Sequence, residues 1–308
     1  LWKRMYEVSD RRNMAEKPVR GIAPVERLLE RLLREWKPDA VVCTYMVYPY
    51  MLDSLASRTG RAVPYLTVVT DSFVINKSWL CSKSPLWAVT DPWTRAIMEE
   101  KGLPQDRLRV TGFPVNPVLG ALAEEHPLSW KEGEPFRVLY FAQRSARHAR
   151  AELAGMLDAN PALHVTCILG RRFRRIYPRI RDLRARYGRR LTVRGWTRRV
   201  PSYLAASHVV VGKAGGATVH EVLAAARPML VNFLLPGQEE GNTRLLEKLG
   251  GGSHVPDARA RASALQEMMA DGGAQWRRMH ENLLRAGMTG GSGRIADLAL
   301  KLAEEHTN

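Results

Sequence analysis

The stretch Gly212-Lys213-Ala214-Gly215-Gly216-Ala217-Thr218-Val219-His220-Glu221 follows an apolar run at 208–211 and precedes a helical pattern over 219–226. It reads as strand, Gly-rich turn, helix. Amides at the start of such a helix lack an intrahelical acceptor and carry partial positive charge, which suits a phosphate. Gly215 and Gly216 have no Cβ, so an anion can approach their backbone closely. Lys213 adds a charge and Thr218 a hydroxyl donor. Glu221 lies one turn into the helix and points back toward its start, within reach of a ribose diol. A second polar loop, Pro236-Gly237-Gln238-Glu239-Glu240-Gly241-Asn242, follows the next strand-like run. A lone Gly-Gly connection is common in α/β proteins; the two loops together mark a nucleotide site.

Outward from this stretch, strand-like and helical patterns alternate. Short apolar strands are expected at 40–45, 65–70, 86–90 and 108–111, with helices at 25–36, 46–59 and 92–101. A second strand series is expected at 136–141, 164–169, 191–194, 208–211, 229–233 and 253–255, and a helical stretch follows each of the first five. One of these is a single helix over 173–187. Helical patterns at 262–270, 275–286 and 295–305 close the chain. Alternation of this kind argues for an α/β chain with doubly wound parallel sheets. The expected division is a first Rossmann-like domain over 1–115, a linker rich in proline and charge over 116–134, a second Rossmann-like domain over 135–290, and a terminal helix over 291–308. Ligands bind outside the carboxyl ends of such strands. The loops at 195–199, 212–221 and 236–242 all lie just past strand ends and are expected to converge on one edge.

The series Lys-x-Gly-Gly-x-Thr-x-x-Glu from Lys213, followed by Pro-Gly-Gln-Glu-x-Gly-Asn from Pro236, resembles the donor site of a known family. These are the processive diacylglycerol glucosyltransferases and monogalactosyldiacylglycerol synthases, inverting GT-B enzymes that use UDP-sugars. They are related to the N-acetylglucosaminyltransferase of peptidoglycan synthesis. The resemblance extends to Val69-Thr70-Asp71, Val110-Thr111-Gly112-Phe113-Pro114-Val115 and Arg194-Gly195-Trp196-Thr197, covering roughly 38–242. It implies two Rossmann-like domains facing one another across a cleft. It also implies that the first is incomplete: relatives begin with a strand and a Gly-Gly-x-His-type loop, whereas this sequence opens on Leu1 inside a helix-like pattern.

The resemblance assigns roles. Gly195, Trp196 and Thr197 hold uracil largely through backbone groups, while Gly215, Gly216, Ala217 and Thr218 hold the diphosphate and Glu221 the ribose. In the loop opened by Pro236 and Gly237, Gln238 and Glu239 bond the sugar hydroxyls, with Asn242 at the start of the next helix as ligand or simple cap. Donors around the diphosphate stabilise the departing UDP, so neither a metal nor a cofactor is required. Asp71 matches the acceptor-side aspartate and is the candidate general base; His220 is expected as a peripheral contact. Departures from the pattern are the loop Ala142-Gln143-Arg144-Ser145-Ala146-Arg147, where relatives carry glycines, and the segment Gly170-Arg171-Arg172.

With 308 residues and 45% apolar content, the chain can bury two cores and is not disordered. Cys43, Cys81 and Cys167 show neither metal spacing nor a disulfide framework, which fits a reducing compartment. No apolar run approaches the ~20 residues of a membrane span, and no signal peptide is recognisable. Forty-seven Lys and Arg against thirty-one Asp and Glu give a net charge of +16, densest from Arg171 to Arg190. Such a surface attracts an anionic leaflet. No nucleic-acid-binding pattern accompanies it, so no nucleic acid is expected as partner. The expected function is transfer of a hexose from a UDP-sugar to a lipid hydroxyl, by a cytoplasmic protein peripheral on the inner face of the cell membrane. The rivals are a nucleotide-sugar-binding module without turnover and an enzyme like UDP-N-acetylglucosamine 2-epimerase.

Overall fold

The computed structural model describes residues 23–125 and 128–307. The opening helical pattern expected before residue 23 lies outside these residues. Two compact units divide the chain: one takes residues up to 114, residues 235–241 and residues from 290 onward, the other residues 115–234 and 242–289.

The first unit begins with helix α1 (Ala23–Trp36), strand β1 (Val41–Cys43), helix α2 (Val47–Thr59) and strand β2 (Tyr65–Val68). Strand β3 (Leu86–Val89), helix α3 (Pro92–Glu100) and strand β4 (Leu108–Val110) follow. The four strands are parallel in the order β1-β2-β3-β4. Asp91 caps α3, its carboxylate accepting from the Thr94 amide at 2.8 Å, and Pro92 occupies the first turn. Leu29 and Leu33 of α1 pack with Leu52 and Tyr65, which explains their helical spacing.

Helix α4 (Val118–Glu125), strand β5 (Phe136–Phe141), helix α5 (Ala146–Ala159), strand β6 (Leu163–Ile168), helices α6 (Phe173–Ile176) and α7 (Arg181–Tyr187), and strand β7 (Leu191–Arg194) lead into the second unit. It continues with helix α8 (Val200–Ala205), strand β8 (Val209–Lys213), helix α9 (Gly216–Ala224), strand β9 (Met229–Phe233), helix α10 (Gln238–Lys248), strand β10 (Gly252–His254), and helices α11 (Ala258–Met269) and α12 (Ala274–Ala286). Its six strands are all parallel in the order β10-β9-β8-β5-β6-β7. The chain thus winds outward from β5 through β6 to β7, then returns to β8 and winds outward the other way. The point of reversal lies between β5 and β8, where doubly wound sheets open a crevice at their carboxyl ends. Val138, Tyr140, Val165, Cys167, Val209 and Val211 are buried in the core of this sheet, as runs covered on both faces require.

The chain departs from three sequence expectations. The stretch 173–187 is not one helix: α6 ends before a 3-10 turn at Tyr177–Arg179, because Pro178 has no amide to continue the ladder. Residues 116–134 contain α4, whose Leu119 is buried, and these residues group with the second unit. The terminal helix α13 (Gly291–Thr307) groups with the first unit, where Ile295, Leu298 and Leu302 cover Leu66, Val68 and Ala88 of β2 and β3.

Residues 235–241 also group with the first unit, and the reason is steric. A Cβ on Gly241 would stand 1.7 Å from the Ser72 carbonyl oxygen and 2.8 Å from the Val74 amide. Both obstacles are backbone, so nothing can swing aside. Gly241→Ala is therefore expected to destabilise the first unit by about 1–3 kcal/mol, the cost of overpacking a filled site. Chemical denaturation followed by near-UV circular dichroism measures it, and an unchanged midpoint would show that the two segments do not need this approach.

Candidate functional site

In the second unit the chain leaves β8 through a bulge at Gly212 and Lys213, and Lys213 pairs with Phe233. The Ala214 amide bonds the Phe233 carbonyl at 3.1 Å, carrying the ladder one residue past the strand. Gly212 lies beside the Phe141 side chain, which stands 3.4 Å from where a Cβ would be, an ordinary van der Waals contact. Gly215 then caps α9 with extended backbone and no side-chain acceptor. Amides of Gly216, Ala217 and Thr218 consequently open the helix with no helical partner, and the positive end of its dipole faces the crevice beside β5. Lys213, Gly215, Gly216 and Thr218 are half-buried and Ala217 is exposed.

Asn242 supports this turn from below. It is 1% exposed, and its Nδ2 donates to the Ala214 carbonyl at 2.9 Å. Its Oδ1 is buried with no protein partner. The residue sits inside α10 rather than at its N-terminus, so it is not a cap. What the sequence does not reveal is that this asparagine holds the glycine-rich turn in shape; only long-range packing brings the two together. Glu221 is half-buried, and among the described residues nothing donates a hydrogen bond to its carboxylate. Burial raises its carboxyl above the ordinary range. His220, expected at the periphery, is instead 1% exposed, and desolvation brings its imidazole down to about 3, so it stays neutral. One residue before Glu221 on the helix, it turns into the core rather than toward the crevice.

The loop after β7 presents Trp196 at 59% exposure, with the Arg198 guanidinium 5.7 Å above its ring. Thr197 Oγ1 accepts from the Arg199 amide at 3.0 Å, closing a tight local turn. Gly195 faces Phe173, whose ring lies 3.4 Å from where a Cβ would be, and Phe173 stacks on Tyr177. Backbone groups of Gly195 are thereby left beside an aromatic wall.

The first unit carries the other candidates. Asp71 follows β2 and is 1% exposed; its Oδ2 accepts from the Trp79 indole at 2.7 Å. No periodic signal in the sequence links Trp79 to it. Next to Asp71 the backbone turns sharply: Phe73 has φ 58°, the left-handed region, and the Val74 amide bonds the Ser72 carbonyl at 2.6 Å. That turn is the surface against which Gly241 lies. Pro236 is exposed, Gly237 adopts φ 97°, and Gln238 opens α10. Glu239 is buried and its Oε2 accepts from the Leu235 amide at 2.7 Å, so this carboxylate braces its own loop. Among the described residues no group of three or more His, Cys, Asp or Glu side chains is placed to hold a metal ion.

A family model described as Monogalactosyldiacylglycerol (MGDG) synthase matches residues 1–115. A processive diacylglycerol beta-glucosyltransferase of Staphylococcus carnosus is 25% identical over 252 residues, covering 80% of this chain and 63% of the relative. The Bacillus subtilis protein of the same name is 23% identical, covering 79% and 64%. The chain therefore spans less than two thirds of the length of these relatives. Among solved structures, MurG of Acinetobacter baumannii superposes with a TM-score of 0.62 at 15% identity, over 88% of this chain and 76% of that one. UDP-GlcNAc 2-epimerase of Neisseria meningitidis, bound to UDP-GlcNAc, gives 0.66 at 14% identity, over 92% and 83%. These likenesses show the fold. With two parallel Rossmann-like sheets the chain has the GT-B fold of these neighbours; it is similar to the monogalactosyldiacylglycerol synthase family over its first 115 residues and to processive diacylglycerol glucosyltransferases over four fifths of its length.

Proposed function

We propose that this chain binds a UDP-sugar in the second unit and transfers its hexose, with inversion, to a hydroxyl of a diacylglycerol-type lipid at a membrane surface. The observation that carries the reading is the start of α9: an uncapped, glycine-opened helix at the sheet's reversal point, with the unpartnered Glu221 carboxylate one turn inside. Amides of Gly216, Ala217 and Thr218 and the Lys213 ammonium would hold the diphosphate and stabilise charge as UDP leaves. Glu221 would accept from the ribose hydroxyls, Gly195, Trp196 and Thr197 would frame uracil, and the loop Pro236-Gly237-Gln238, braced by Glu239, would supply the hexose contacts. The names of the relatives support the lipid acceptor, and neighbours solved with UDP or UDP-GlcNAc support the donor.

Asp71 is the proposed general base, taking the acceptor proton as the oxygen attacks the anomeric carbon. Its second oxygen is held by the Trp79 indole, which would orient the carboxylate rather than protonate it. The burial of Asp71 also favours a second reading, a nucleotide-sugar-binding module without turnover. Release of UDP from UDP-glucose only in the presence of diacylglycerol supports transfer. UDP binding with no release supports the module, and sugar epimerisation without lipid supports the epimerase reading.

Calorimetry is expected to give tighter binding of UDP than of ADP or GDP. Glu221→Ala is expected to weaken UDP by roughly 1.5–3 kcal/mol, the worth of a hydrogen bond to a charged group. Equal affinity for all three diphosphates would overturn the uridine assignment, and unchanged affinity in the variant would remove Glu221 from the site.

The same carboxylate makes a pH prediction with a definite sign. Its pKa is raised in the folded chain, so its ionised form opposes folding above the unfolded value, and that cost vanishes as the pH falls below about 4. Glu221→Gln is therefore expected to raise the melting temperature at pH 7 and to leave it unchanged near pH 4. Differential scanning calorimetry at both values decides; a destabilised variant at pH 7 would mean that the carboxylate has a stabilising partner.

Attachment to the membrane is proposed to be peripheral and electrostatic, on the inner face of the cell membrane. Among the described residues no helix is long and apolar enough to cross a bilayer. Nine of the ten arginines between 171 and 190 are exposed, and α1 exposes Val25, Leu28 and Trp36. Each cation near an anionic leaflet contributes ~1 kcal/mol, screened within a Debye length. Co-sedimentation is expected with phosphatidylglycerol vesicles and not phosphatidylcholine, and to be lost at about 1 M salt. Equal, salt-insensitive binding to both would replace electrostatics with apolar insertion.

A further inference from the structure

The loop after β5 carries arginines and no glycine, and its geometry gives one of them a defined place. Part of its backbone is hydrogen-bonded. Ala142 is buried with its amide bonded to the Ile168 carbonyl at 3.0 Å, and the Gln143 carbonyl accepts from Arg172 Nη1. Ser145 caps α5, accepting from the His148 amide and lying 2.7 Å from His148 Nδ1. Every amide of this loop lies beside a Cβ, so an anion cannot approach the backbone as closely as it would a glycine loop.

Arg144 remains, and it does not point into solvent at random. Its guanidinium carbon lies 5.0 Å from the centre of the Phe233 ring, at the end of β9. In the sheet order β8 stands between β5 and β9, so the Arg144 side chain crosses two inter-strand gaps of about 4.8 Å each and passes over the end of β8. Below that crossing lies the turn Ala214-Gly215 that leads into α9, whose first amides have no helical partner, and the buried, unpartnered Oδ1 of Asn242 sits beneath the same turn. A guanidinium held over an aromatic ring by its positive charge still has five N–H groups in its own plane with which to bond an anion.

We propose that Arg144, shelved on Phe233, is the side-chain clamp for the diphosphate of the nucleotide. It would close from above the anion site whose floor is the N-terminus of α9, and supply as a planar, bidentate cation what a glycine loop would supply as amides. Phe233 is the positioning residue that holds it there. The inference rests on the donor-site reading given under Proposed function.

The test is titration calorimetry of UDP and of uridine against the full chain and three variants. Arg144→Gln is expected to lower UDP affinity roughly tenfold or more, as loss of a charge-assisted hydrogen bond does, while leaving uridine affinity unchanged. Arg144→Lys should fall between, keeping charge without the fork. Phe233→Leu should lower UDP affinity several-fold through the loss of the shelf, again sparing uridine. Affinity for UDP should also fall less steeply with added salt in Arg144→Gln than in the parent. Equal UDP affinity in parent and Arg144→Gln would overturn the clamp while leaving the donor site standing. Parallel loss of UDP and uridine would also overturn it, since the residue would then only shape the turn. Failure of the parent chain to bind UDP would instead remove the donor-site reading on which the clamp depends.

Discussion

A helix that starts on glycine without a side-chain cap leaves its first amides to be satisfied from outside, and α9 starts in that way at Gly215. Everything around it keeps that opening in place. The bulge at Gly212 and Lys213 sets where the strand gives way to the turn, and Asn242 fixes the carbonyl of Ala214 from within α10. Phe141 packs beside Gly212 at the start of the turn. The result is a fixed set of donors beside the β5–β8 reversal, prepared before any ligand arrives. Preorganised dipoles of this kind need no rearrangement when negative charge builds up in front of them.

The chemistry on the first unit is of the opposite kind. Asp71, Ser72, Thr90, Asp91 and Thr94 form a buried polar group in which hydroxyls and carboxylates satisfy one another: Ser72 Oγ lies 2.9 Å from Thr90 Oγ1, which donates to Asp91 at 2.6 Å. Asp91 is used up as a helix cap. Asp71 is the member whose bond to Trp79 occupies one oxygen from a defined side.

Much of this was legible in the residues. Strands β5, β7 and β9 occupy the expected positions, because their apolar residues Phe136, Val138, Leu191, Val193, Met229 and Val231 are buried and turn or loop residues bound each run. The glycine turn before α9 was legible for a local reason, since turn chemistry is set by neighbours in sequence. Pro178 was a local signal too, outweighed in the expectation by the apolar spacing of Ile176, Ile180 and Leu183 around it. Long-range packing is what the sequence could not convey. Nothing local says that Ile295 and Leu302 lie on β2, that Trp79 reaches Asp71, or that His220 turns inward while Glu221 does not. The Arg144 loop is a middle case: its missing glycines were visible, whereas the aromatic shelf it leans on came from a strand ninety residues away.

The approach of Gly241 to the Ser72 carbonyl has a consequence for how such a protein can vary. The space that a side chain at 241 would need is occupied by main chain, and main chain cannot be trimmed by substitution. Position 241 is therefore closed to all nineteen other residues for as long as the 71–74 turn keeps its path. Conversely, the turn cannot be lengthened or re-routed without meeting α10. A lineage that re-routes the 71–74 turn has to change the 235–241 segment in the same step, so these two stretches, more than 160 residues apart in sequence, are expected to drift as one inherited character.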